Sequence, residues 1–448
     1  MRWVMSFIAL GLMMALFHRL TGSGPVEARA TLALGFLVLA AHLAGGLAGR
    51  ARVPRVTAYL LVGFCVGPSW LGLVRADEIR ALDFIAEAAA ALIAFAVGSE
   101  LRLESLRRDR TTLVRAGAGT IVLPFLFVAV VVLSVSPWFP ITVHQPFRDA
   151  IPVALVLGSL AAASSPTLTI AVIDELDARG PFARALLSVM VAKDVVAIVL
   201  FSLALAVGRA VGSPGTVNAG VAWAALLRLS GSVAAGALLG LAVACYLRLL
   251  RRGAVVCLVA LALLAVQTAR MLDLESLLIA VAAGSVVANV FSSEGEELVR
   301  SLRRNALPVY LVFFGLLGAG LQVGALQDFG VWWIVLLVGL RVWGLRYGLR
   351  WAGGHPDVMP AIARDGWLTL ISQGGIALSL AAAAHRAFPE WRISLETLIV
   401  AMVGVHGVVG PICARLALTR AGKPTEEVHA ASGRQMGGDI VAAAGGGV

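Results

Sequence analysis

Lysine is almost missing from this chain: Lys193 and Lys423 are the only two among 448 residues, and arginine carries nearly all the rest of the basic charge. Charge of either sign is scarce, with Asp, Glu, Lys and Arg at 14% against 59% hydrophobic residues and a mean hydropathy of +0.91. A soluble domain is excluded, because its apolar share is about 45–50% and is not gathered into long uncharged blocks. The four cysteines, Cys65, Cys245, Cys257 and Cys413, are scattered through apolar segments without pairing or metal-ligand spacing, so neither a disulfide framework nor a zinc site is implied. The tail from Arg420 to Val448 has no strand-like runs and no nucleotide fingerprint. Gly117 and Gly119 superficially suggest a phosphate loop, but they follow no strand and fit a helix contact better. No nucleophile, base and orienting residue fall at one depth, so the chain does not read as an enzyme and needs no cofactor.

What remains is an all-α polytopic membrane protein of 13–14 transmembrane helices. The apolar blocks run over 3–18, 29–48, 56–74, 82–98, 111–136, 149–173, 181–208, 219–247, 253–269, 274–292, 305–322, 330–352, 361–384 and 394–417. Residues 1–28 form an extra N-terminal helix or a signal peptide cleaved near Ala28-Arg29-Ala30. A retained helix is favoured, because the small-x-small site lies far beyond the apolar run. The net charge of +10 sits between blocks rather than on a nucleic-acid face, and no nucleic-acid role follows. Alternate connections hold the arginines, as in 50–55, 102–110, 248–252 and 300–304. The positive-inside tendency makes those connections and the C-terminus cytoplasmic. The segment 418–448 reads as a disordered tail, polar and then rich in Gly and Ala.

With 209–252 as a linker helix, six blocks precede it in 29–208 and six follow in 253–417. An odd number of crossings between the halves makes them two inverted six-helix repeats. The fifth block of each is interrupted. In the first, Ser164-Ser165-Pro166-Thr167 places a proline and three hydroxyls at mid-membrane, where a kink frees backbone carbonyls. In the second, Ser372-Gln373-Gly374-Gly375 weakens the helix. Crossed broken helices set half-helix dipole ends at the bilayer centre.

Between the breaks in sequence lies Lys193-Asp194, about eleven residues from either end of its block and so near the midplane. An ionised group there costs at least about 2.5–3.5 kcal/mol on insertion scales, which marks a water-lined path or a binding site. Neighbours i and i+1 point to different sides of a helix and bridge poorly, which argues against a purely structural ion pair. Arginine stays protonated, whereas a desolvated lysine can give up its proton, so lysine at 193 has a chemical meaning. Arg341 sits at similar depth, about nine residues from the nearer helix end, too deep to snorkel. Glu87 reads either as part of an ion funnel or as a packed partner of an arginine, His42 and His406 as buried hydrogen-bonded histidines, and Asp174 and Glu175 as solvated.

In order and spacing the chain resembles the monovalent cation:proton antiporter superfamily, second branch. The resemblance covers about 29–417. It rests on Val53-Pro54-Arg55-Val56-Thr57-Ala58-Tyr59 through Gly67-Pro68-Ser69, on Phe95-Ala96-Val97-Gly98-Ser99-Glu100-Leu101, on the two interrupted helices, on Asp194 and on Arg341. It implies a sodium or potassium/proton exchanger working by alternating access in a bacterial inner membrane, as a homodimer with a static dimer domain and a mobile core. It also implies that Asp194 holds either the transported monovalent cation or a proton, with Ser164, Ser165, Thr167 and freed carbonyls as hard oxygen ligands. The partners are then a monovalent cation, protons and the lipid bilayer. Family members usually carry Asp-Asp, Asn-Asp or Gln-Asp, so Lys193 departs from the pattern. Lys193 and Arg341 together outnumber Asp194 in charge. The same fold carrying an anion, or a non-transporting sensor or channel subunit, are the alternatives.

Overall fold

The computed structural model describes residues 2–421 except 22–23, 52, 103, 105–106, 108–109, 144–145, 179, 213–218, 251–253, 291–297, 303, 322–329, 355–359, 375–376, 378–379, 381–383 and 385–391. Most of the expected tail, 422–448, therefore lies outside the described residues. The described chain is helical, with no strand. Its helices are α1 (Arg2–Thr21), α2 (Val26–Arg50), α3 (Arg55–Val66), α4 (Ala76–Ala81), α5 (Asp83–Ser99), α6 (Arg110–Ser134), α7 (Phe147–Ala162) and α8 (Pro166–Leu176). They continue with α9 (Pro181–Gly212), α10 (Ala219–Leu250), α11 (Ala254–Leu272), α12 (Ser276–Val290), α13 (Ala306–Ala319), α14 (Val331–Ala352), α15 (Pro360–Thr369) and α16 (Arg392–Ala421).

Among the described residues each expected block overlaps helix, the block over 361–384 through Pro360–Thr369. Seven of the resulting spans are long and apolar enough to cross a bilayer by that measure, and α3, α11, α12 and α13 are shorter apolar helices. The block expected over 56–74 departs most. Its helix stops at Val66, because Gly67 turns the chain into extended backbone before the loop that leads to α4.

Close approach between helices fixes the arrangement. α6 and α14 meet backbone to backbone at Gly119 and Gly348, where a Cβ on either residue would run into the carbonyl of the other. Without a hydrophobic force between helices in lipid, such small-residue contacts are what hold a bundle together. α3 packs on α13 and α5 on α12, again through glycines. Leucines and valines such as Leu39, Val130 and Leu203 stay exposed on the outside, as a lipid-facing surface requires.

The broken span Phe147–Leu176 lies at the centre, 94% buried where the other six spans are 33–56%. Its interruption falls where the sequence suggests, with a different local cause. Pro166 does not break a helix in progress. It is the first residue of α8, a position where the donor it lacks would be unsatisfied anyway. Ala163 to Ser165 are extended, and Ser165 caps α8 by accepting from the Leu168 amide at 3.4 Å. α15 ends at Thr369, and Ser372 to Gly374 are non-helical. Gly375 lies outside the described residues.

Candidate cation site

The two interruptions cross and bond directly: the Ser165 amide donates to the Ser372 carbonyl at 2.8 Å. At the crossing, a Cβ on Gly374 would come within 2.6 Å of Ser165 Oγ, which explains why glycine stands there. Gly410 of α16 packs against Ser372 just as closely.

Unwinding leaves carbonyls without helical partners, and in a low-dielectric interior each must find a donor. Arg341, fully buried on α14, supplies most of them. Its Nε donates to Ala161 at 3.2 Å and its Nη2 to Ala163 at 2.7 Å, both on the first break. Its Nη1 donates to Ile371 at 2.7 Å and its Nη2 also to Leu370 at 3.0 Å, both on the second. Gln373 Nε2 adds a bond to Leu160 at 2.8 Å, and Thr169 Oγ1 reaches the Thr369 carbonyl at 3.4 Å. A guanidinium at the carbonyl ends of α7 and α15 also meets the negative ends of both half-helix dipoles. Of the carbonyls freed at the breaks, those of Ala161, Ala163, Leu370 and Ile371 thus accept from Arg341.

Lys193 and Asp194 project from α9, which packs on α7 and α8. Both are buried. As helix geometry predicts, the neighbours do not bridge each other. Ser164 stands between them: its amide donates to Asp194 Oδ1 at 2.9 Å, and its Oγ accepts from Lys193 Nζ at 3.0 Å while donating to the Leu370 carbonyl at 3.1 Å. The Ser165 and Thr167 hydroxyls bond to each other at 2.9 Å. Asp194 Oδ2 is buried and has no hydrogen-bond partner.

Asp194 lines a cavity of about 50 Å³, with Ser164, Ser165 and Thr167 on the same side. Ala94 and Val97 of α5 and Leu277, Leu278 and Val281 of α12 form the other. The space suits a few waters or a small hydrated ion, since one water needs roughly 10–15 Å³ on this measure. Neither Lys193 nor Arg341 lines it. Among the described residues no group of three or more His, Cys, Asp or Glu forms a metal cage.

Other sequence candidates fall elsewhere. Glu87 pairs with Arg270 at 3.0 Å and is not free. His42 is exposed, so the expectation of a buried histidine fails there, while His406 is buried as expected. Asp174 and Glu175 are not simply solvated. Asp174 Oδ2 accepts from Tyr310 Oη at 2.8 Å, while Glu175 accepts from the Arg55 amide at 2.7 Å and lies 3.6 Å from Arg415. Tyr310 gave no sequence signal, because its partner lies 136 positions away.

A buried carboxylate beside two crossed half-helices, in an all-helical polytopic bundle, defines an integral membrane protein of the ion-carrier class. The chain belongs to the family described as sodium/hydrogen exchanger, transmembrane, whose profile it matches over residues 36–418. It is 33% identical over 90 residues to the "Probable Na(+)/H(+) antiporter GerT" of Bacillus cereus, a match spanning 20% of this chain and about a quarter (24%) of that protein. It is 25% identical over 391 residues to the "Ammonium/H(+) antiporter subunit AmhT" of Alkalihalophilus pseudofirmus, covering 83% of this chain and 90% of the other. Its fold is similar to that of the sodium proton antiporter MjNhaP1 from Methanocaldococcus jannaschii, with TM-score 0.68, 16% identity and coverage of 89% of this chain and 99% of that one.

Proposed function

We propose that the protein exchanges a monovalent cation, sodium or potassium, for protons by alternating access, with Asp194 as the residue that holds either ion. The observation that carries this reading is the partnerless Oδ2 of Asp194, a residue that lines a small cavity beside the first broken helix. A carboxylate with one oxygen anchored by the Ser164 amide and the other without a hydrogen-bond partner can take a cation or a proton, not both. Exchange follows from that competition.

The anion alternative loses support from the same geometry. Arg341 aims its donors at four protein carbonyls and Lys193 aims at Ser164, so neither presents a charge to the cavity.

The mobile core would comprise α6–α9 and α14–α16, moving against α2, α3, α5 and α11–α13. The two halves of the chain would be inverted repeats. Their packing supports this: the second block of one half pairs with the third of the other, as α3 with α13 and α5 with α12, while fourth pairs with fourth, as α6 with α14. Arginine-rich connections favour a cytoplasmic C-terminus, and the family resemblance favours a homodimer in a bacterial inner membrane.

The test is cation-dependent proton movement in proteoliposomes, one cation at a time. Native protein is expected to dissipate an imposed pH gradient on adding sodium or potassium, and Asp194→Asn to show none. Undiminished exchange by a folded Asp194→Asn protein overturns the assignment.

A further inference from the structure

α14 has 22 residues, roughly 33 Å of helix, which matches a hydrocarbon core of about 30 Å, so its ends lie near the two membrane surfaces. Arg350 falls in the last turn, where a basic residue meets lipid headgroups. Arg346 lies one turn deeper, about 9 Å inside the end at Ala352, and both arginines are exposed. Helical side chains leave the axis toward the N-terminus, which on α14 points away from that end and further into the membrane. The Arg346 guanidinium accordingly stays beside the helices. Its central carbon lies 5.6 Å from the centre of the Trp367 ring on α15, and the indole N–H of that ring donates to the Arg364 carbonyl at 3.1 Å.

A cation–π contact leaves the charge in place. Arginine keeps its proton, and an aromatic face is no substitute for the oxygen acceptors that its five N–H groups seek. Among the described residues neither Arg346 nor Arg350 has an ion pair or an acceptor for its guanidinium. The acid of α15, Asp365, is already held by Arg364 at 2.8 Å and by Arg420 at 3.4 Å. Four residues apart on one helix face, Arg346 and Arg350 repel each other. An anion between them cancels that repulsion and takes the free donors, and a phosphate matches the fork of a guanidinium bidentately.

The surroundings decide where that anion comes from. Trp343, Tyr347 and Trp351 on the same helix are exposed as well, with Trp343 and Tyr347 edge to face at 6.4 Å. Tryptophan and tyrosine gather at the boundary between headgroups and acyl chains. A soluble anion must leave water to reach Arg346, whereas a phospholipid carries its phosphate on apolar tails that these rings can pack against. We propose that Arg346 and Arg350 bind the phosphate of an anionic phospholipid whose acyl chains lie on Trp343, Tyr347 and Trp351. On the proposed topology the lipid belongs to the cytoplasmic leaflet, where basic pockets between helices take anionic headgroups. Because Arg346 also rests on Trp367, the lipid links α14 to α15, the helix that runs into the second break. The site is separate from Asp194 and its cavity, and it requires only that the chain span a bilayer, not that it exchange ions.

The test titrates delipidated full-length protein in detergent with phosphatidylglycerol and counts bound lipid by native mass spectrometry. Native protein is compared with the Arg346→Gln/Arg350→Gln double variant and with Arg304→Gln, which removes an exposed arginine ahead of α13. The double variant is expected to hold the lipid about tenfold more weakly or worse, since each hydrogen bond to a charged group contributes at least that factor. Arg304→Gln should bind as native protein does. Native affinity in the double variant overturns the site, and so does an equal loss in Arg304→Gln, which makes the attraction a property of the whole basic surface. Phosphatidylcholine, whose choline offsets its phosphate, should bind more weakly than phosphatidylglycerol, and equal binding overturns the proposal. Inorganic phosphate that binds these arginines as tightly as phosphatidylglycerol assigns them to a soluble anion and overturns the lipid. Phosphatidylglycerol should also raise the melting temperature of native protein more than that of the double variant, and equal rises count against the site. If the double variant does not fold, Arg350→Gln alone is read against the same control, with the same outcomes deciding.

Discussion

Tyr310 on α13 donates its hydroxyl proton to Asp174 on α8 at 2.8 Å, and one residue on, Glu175 accepts from the backbone amide that opens α3. Both contacts join the end of the central broken span to helices of the other proposed body. On the proposed topology both lie at the cytoplasmic side, so they must part for the site to open there. A hydrogen bond to a charged group contributes roughly 1.5–3 kcal/mol. Tyr310→Phe should therefore favour the cytoplasm-open state by about tenfold or more, read as longer α8–α13 distances between paired spin labels. Unchanged distances would show that these contacts do not hold the two bodies together.

Lys193→Gln should leave transport measurable while moving its acid limit. A protonated Lys193 opposes the cation, so removing it extends activity to lower pH, and the exchange rate against pH in proteoliposomes reports the shift. A profile that superimposes on the native one removes any role for the lysine in proton traffic.

Arg341→Met removes a donor from four buried carbonyls at once, of which Leu370 keeps the Ser164 hydroxyl and three lose their guanidinium donor outright. Each unsatisfied group costs about 1–3 kcal/mol, so a loss of at least about 3 kcal/mol is expected. Arg341→Lys should recover only part of it, because an ammonium lacks the planar fork that reaches both breaks. Thermal unfolding of purified protein, with Arg346→Ala as a peripheral control, measures the difference. A melting temperature for Arg341→Met no lower than the control's contradicts the role assigned to the guanidinium.

Gly374→Ala places a methyl group 2.6 Å from Ser165 Oγ, closer than real contacts allow. The crossing must then widen, and cation affinity and stability should both fall. Pairing it with Ser165→Gly relieves the collision, so the double variant should be more stable than Gly374→Ala alone. Additive losses in that cycle would place the damage elsewhere.

Much of this protein is legible in one dimension. Span positions follow from apolar block length against bilayer thickness, and both interruptions from proline, hydroxyl and paired-glycine chemistry inside such blocks. Asp194 stands out because an acid at mid-membrane is costly. Less legible were the partners. Arg341 was placed at the right depth, yet its four carbonyls come from residues 161, 163, 370 and 371, on two separate segments. His42 faces outward and Asp174 meets Tyr310 because helix rotation and packing, not depth, decide those contacts.

Solvent alone dictated how many apolar helices form, where two of them fail, and that a lysine and an aspartate must sit together in a medium hostile to both. A hydrocarbon slab reads composition and length, and those are written along the chain. Folding in three dimensions decided that Ser164 stands between the two charges, that one oxygen of Asp194 is left without a hydrogen-bond partner, and that carbonyls freed at both breaks accept from one arginine. Those outcomes depend on helices far apart in sequence crossing at glycines, where a single methyl group would prevent the contact.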